Sequence, residues 1–91
     1  MIKSFRHKGL SELWATGRSA KVAPALRSRI EVRLRALNSA TKPDDMNVSG
    51  FNFHMLRGTP TRYTIHVNGP WCITFEWDAI DAVRVDLEQY H

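Results

Sequence analysis

Four histidines, one cysteine and a set of arginines carry the chemistry this chain can perform. Imidazole moves protons near neutrality, and guanidinium grips oxyanions with two parallel hydrogen bonds. The cysteine, Cys72, lies in the stretch VNGPWCITFEW (residues 67–77). As a nucleophile it would need a base beside it, and His66 or His91 would serve, yet no protease or phosphatase signature surrounds it. A zinc site built from Cys72, His54, His66 and His91 lacks the paired short spacing such sites use, so no metal is expected. A lone cysteine also forms no internal disulfide, and a cytoplasmic setting is the default expectation.

The partner implied by charge is anionic. Residues 1–36 hold nine Lys/Arg against two acids (net +7), residues 37–75 three against two (+1), and residues 76–91 one against five (−4). A basic first half suits contacts with nucleic acid phosphates, or else forms a solvated helix face. Ninety-one residues with 43% hydrophobic and 24% charged composition fit one small soluble domain, residues 1–91. No apolar run approaches the roughly 20 residues that cross a bilayer, so no membrane is expected. Positive charge follows Met1 without an apolar stretch behind it, and no secretory signal is expected.

The elements that must position these groups follow from hydrophobic period. Ile2 to Phe5 is a short strand candidate. Leu10, Leu13 and Trp14 at helical spacing predict a short amphipathic helix stopped at Gly17. Pro24 suits a first helical position; beyond it Leu26, Ile30, Leu34 and Leu37 fall on one arc, while Arg27, Arg29, Arg33 and Arg35 flank or oppose it. Thr41 to Gly50 reads as a loop. Thereafter the period becomes two: Phe51, Phe53, Met55; Tyr63, Ile65, Val67; Trp71, Ile73, Phe75, Trp77; Val83, Val85, Leu87. Asn68-Gly69 marks a hairpin. The alternation turns these odd-numbered residues to the core and places Thr64, His66, Cys72, Thr74, Glu76, Arg84, Asp86 and Glu88 on the opposite, polar side.

These residues carry a resemblance. The opening Met1-Ile2-Lys3-Ser4-Phe5, then His7-Lys8-Gly9-Leu10, Leu13-Trp14 with Gly17, Leu37 to Thr41, Phe53 to Gly58, Tyr63-Thr64-Ile65, the hairpin Val67-Asn68-Gly69 with Trp71, the alternation through Trp77 and the ending Tyr90-His91 resemble the HigB toxins of bacterial toxin-antitoxin systems, in the RelE/ParE superfamily. The resemblance implies an α+β, RelE-like single domain, with two N-terminal helices packed on a curved, mostly antiparallel β-sheet. It implies a metal-independent endoribonuclease that cuts messenger RNA on the ribosome. The implied partners are the ribosome and a HigA-like helix-turn-helix antitoxin, with a higher-order toxin-antitoxin complex conceivable. A binding-only, ParE-like toxin acting on gyrase or another macromolecular target is the alternative.

Metal-free RNA cleavage must take a proton from the 2′-hydroxyl, give one to the leaving oxygen and stabilise charge on phosphorus. By resemblance His91 is the acid or base, Tyr90 stacks on a base or orients the phosphate, and Arg57 and His54 contact RNA. Arg62 and His66 are weaker candidates for RNA contact. Cys72 marks a departure: members of the resembled family read Trp-Arg-Ile where this chain reads Trp71-Cys72-Ile73, and that arginine holds the scissile phosphate. A thiol is short and a weak donor, so the chain is expected to be a weakened nuclease unless Arg57 or Arg62 reaches the phosphate. Pro70 and Gln89 also depart, Gln89 standing where some members carry an acid. Three departures favour natural divergence over one disarming change.

Overall fold

The computed structural model describes residues 1–89; the catalytic candidates Tyr90 and His91 lie outside the described residues. Two α-helices, α1 (Lys8–Thr16) and α2 (Arg27–Ser39), precede four strands: β1 (His54–Leu56), β2 (Arg62–Asn68), β3 (Trp71–Asp78) and β4 (Asp81–Gln89). The strands form one antiparallel sheet in sequential order. No described helix is long and apolar enough to cross a membrane.

The predicted N-terminal strand is present only as two parallel bridges, Ile2 to Ala82 and Phe5 to Val85, which run along β4 and cover its outer edge. The short helix begins where the His7 imidazole accepts the Leu10 N–H (3.1 Å) and ends at Gly17, whose φ of 79° suits a residue without a side chain. Gly9, in the first turn, is buried tightly: a Cβ there would stand 2.7 Å from His7 Cε1 and 2.8 Å from Lys21 Cβ. Gly9→Ala is therefore expected to destabilise by about 1–3 kcal/mol despite alanine's better helix propensity; urea unfolding measures it. Pro24 opens a single 3₁₀ turn (Pro24–Leu26) and α2 follows at Arg27.

Leu26 at the end of the 3₁₀ turn and Ile30, Leu34 and Leu37 of α2 bury the predicted stripe against Ile65, Val67, Ile73, Phe75, Val85 and Leu87 of the sheet. Tyr63 stacks between Phe53 and Phe75, extending this core toward β1. The loop after α2 contains a 3₁₀ turn (Pro43–Met46) whose Met46 is fully buried.

Four expectations are corrected. Val83, expected to face the core, stands directly opposite Glu76 on the polar face, because the β3–β4 register shifts between Thr74 and Glu76. Met55, expected to face the core, is 63% exposed, because β1 is a three-residue strand at the sheet edge, where alternation no longer guarantees cover. Arg33, expected on the displayed side of α2, is 7% exposed: its flexible stem turns inward, Nε donates to the His66 carbonyl (2.6 Å) and the guanidinium stands 4.6 Å from the Phe51 ring centroid. On the polar side of the sheet, Thr64, Thr74 and Glu76 are buried rather than solvated; Arg6, Arg62 and Arg84 close over Glu76, and Arg62 reaches Thr74 as well.

Candidate active site

Antiparallel register decides which polar side chains meet, since residues directly opposite share a face. Thr64 pairs with His54 on one side and Thr74 on the other; His66 pairs with Cys72, and Cys72 with Glu88. The result is two polar rows across the face turned away from the helices. A groove of about 330 Å³ opens there, lined by Asn52, His54, Leu56, Thr64, His66, Gly69 and Cys72. That volume is within the range of small-ligand sites.

The two imidazoles are oriented by backbone carbonyls. His54 donates from Nδ1 to the Asn52 carbonyl (3.0 Å), and His66 donates from Nε2 to the Gly69 carbonyl (3.0 Å). Each contact fixes which ring nitrogen donates and leaves the other ring nitrogen free of that carbonyl. Cys72 is half-buried and free of disulfide. The Thr64 hydroxyl is buried with no hydrogen-bond partner among the described residues.

Beside the groove lies a charged cluster. Glu76, 3% exposed, takes Arg84 Nε on Oε1 (2.7 Å) and Arg62 Nη1 on Oε2 (2.6 Å), with Arg6 at 3.8 Å. The Arg84 and Arg62 hydrogen bonds hold its carboxyl below the usual glutamate range against the opposing effect of burial, and Glu76 in turn raises Arg84. Arg62 also donates Nη2 to Thr74 Oγ1 (2.9 Å) and to the Arg84 carbonyl (3.1 Å), and the Thr74 hydroxyl donates to the Glu88 carboxylate.

Of the sequence candidates, the structure thus gathers His54, His66 and Cys72 around one groove. Arg57 is exposed and immediately follows Leu56, a lining residue. Arg62 stands on the same face but directs its terminal nitrogens to Glu76, Thr74 and the Arg84 backbone. Gln89 pairs with Trp71, so it points away from the Cys72 face; the acidic side chain opposite Cys72 is Glu88. Asn52 escaped sequence reasoning because it precedes β1, with a φ of 48° outside any periodic pattern.

A family model described as the RelE-like toxin of type II toxin-antitoxin system HigB matches residues 3–91. The chain is 38% identical over 92 residues to the Endoribonuclease HigB of Proteus vulgaris, an alignment that covers 100% of both proteins. Helices on one sheet face, a histidine-lined groove on the other and a match over nearly the whole length lead to one assignment: the chain belongs to the HigB-like family of RelE-like toxins from type II toxin-antitoxin systems.

Proposed function

We propose that this chain is an endoribonuclease toxin that cuts messenger RNA on the ribosome and so inhibits translation. The observation that carries the proposal is the full-length similarity to a curated endoribonuclease, on a chain whose sheet gathers two oriented histidines at a groove. The 2′-oxygen, losing its proton to a base, forms a bond to the adjacent phosphorus. The bond from phosphorus to the 5′-oxygen breaks, that oxygen takes a proton from an acid, and a 2′,3′-cyclic phosphate and a 5′-hydroxyl result. His91 serves as acid or base and Tyr90 orients the phosphate or stacks on a base; His54, His66 and Arg57 contact the RNA. With Cys72 at the phosphate-holding position and Arg62 committed to Glu76, the reaction runs slowly.

A HigA-like antitoxin restrains the toxin in the cytoplasm. The experiment for the function as a whole is primer extension on translated and untranslated copies of one messenger RNA in cells making this chain, with and without the antitoxin. Cuts confined to the translated copy and absent with antitoxin support the reading; cuts independent of translation refute ribosome dependence.

Basic residues of α2 steer the toxin to ribosomal RNA. Burial removes Arg33 from this role, leaving Arg29 and Arg35 exposed. Neutralising those two to Gln is expected to weaken ribosome association and to lower the slope of log K against log salt by about 1–2. An unchanged slope in salt-titrated sedimentation would remove α2 from the interface.

A further inference from the structure

Arg33 is a buried cation, and no ion pair among the described residues involves it. Such a charge is costly unless its hydrogen bonds are well placed. Burial, and then the neighbouring Arg29, push its guanidinium below the ordinary arginine range. What it holds explains its place. The β2–β3 register shifts between His66 and Asn68, and a bulge of this kind leaves ladder groups to be satisfied elsewhere. Arg33 Nε takes the His66 carbonyl at 2.6 Å, Nη1 returns to the Arg29 carbonyl at 3.1 Å, and the ring of Phe51 packs against the guanidinium. The His66 N–H donates to the Phe51 carbonyl at 2.6 Å. One side chain from the helical layer therefore fixes both walls of the groove on the far face: His66 on β2, and the segment from Phe51 through Asn52 to His54.

We infer that Arg33 is a positioning residue for the groove, setting His66 and His54 without touching RNA. The inference rests on the nuclease reading for its kinetic consequence, and on geometry alone for its structural one. A guanidinium bonds through its edge while its face packs on Phe51, and it returns a second bond to α2; an ammonium is a point charge without that planar fork. Arg33→Lys thus keeps the cation but loses the clamp.

The test compares Arg33→Lys with Gly9→Ala, a destabilised control whose substitution lies at the start of α1. Two-dimensional NMR on the chain is read first: Arg33→Lys is expected to shift the ring resonances of His66 and His54 and to speed exchange of the His66 amide beyond its loss of global stability, with Gly9→Ala leaving both ring resonances in place and speeding exchange only in proportion to its own destabilisation. Cleavage is then measured in a Cys72→Arg background, where Arg33→Lys is expected to lower kcat at least about tenfold with KM changed less than about twofold. Should Arg33→Lys fail to fold, Phe51→Leu removes the ring and carries the same expectations. Unmoved histidine resonances, or equal kcat losses in the positioning variant and Gly9→Ala, overturn the inference. If no variant cleaves RNA, the nuclease reading fails separately, and the NMR comparison still decides the role of Arg33.

Discussion

Replacing Cys72 by arginine is expected to raise messenger RNA cleavage by roughly 10²–10³-fold, the usual worth of a preorganised donor to the transition state. Cys72 lines the groove and stands across from His66 on β2 and Glu88 on β4. A side chain growing from that position extends over the face that holds both histidines. The Glu88 carboxylate, which accepts the Thr74 hydroxyl, lies on the adjoining strand where it can steady an arriving guanidinium, a charge-assisted contact that aims the remaining donors. Primer extension at matched expression measures the gain, with growth arrest as a second reading. If His91 is the acid or base proposed above, adding His91→Ala to the Cys72→Arg protein should return cleavage to near the parental rate, since phosphate binding without proton transfer leaves the barrier high. Equal cleavage by parent and Cys72→Arg would mean that Arg57 or another cation already holds the phosphate. Cleavage by neither would replace the nuclease with a binding-only toxin acting on gyrase or another target.

Periodicity made the layers of this fold legible, and parity made one face of the sheet legible, but neither encodes what long side chains do at irregularities. The helical spacing of Leu26, Ile30, Leu34 and Leu37 and the Asn68-Gly69 turn each led to an observed element. Arg33 was out of reach because its burial depends on a bulge at His66, and a bulge leaves no mark in a hydrophobic pattern. Glu76 was placed on the correct face with the wrong environment: alternation says which way a side chain points, and only the register across strands says that Arg62 and Arg84 meet it there. Pairing also decided between neighbouring acidic positions, since the resemblance drew attention to Gln89 whereas β4 turns Glu88 toward Cys72.

The register that hides Glu76 also makes its loss costly to the fold. Glu76→Gln preserves shape but leaves Arg62, with a side chain only 14% exposed, facing a neutral amide. Removing one partner of a buried ion pair typically costs 3–5 kcal/mol; the lower end, about 3 kcal/mol, is expected here because the Arg84 and Arg6 side chains are half-exposed and can turn to water. The acid dependence follows from the depressed carboxyl of Glu76. In the folded state it ionises at lower pH than in the unfolded chain, so its contribution is complete above the ordinary glutamate range. That contribution is lost as pH falls through the depressed folded value. Urea titrations between pH 7 and pH 3 should show parental stability dropping through that window, with Glu76→Gln less stable at pH 7 and flatter toward acid. Parallel curves would place the stabilising charge elsewhere. Because Arg62 also grips Thr74, and Thr74 the Glu88 carboxylate beside Cys72, the same variant should loosen one end of the groove; Glu76→Gln combined with Arg62→Met, which leaves no orphaned cation between the strands, should regain stability without regaining that hydrogen-bond chain.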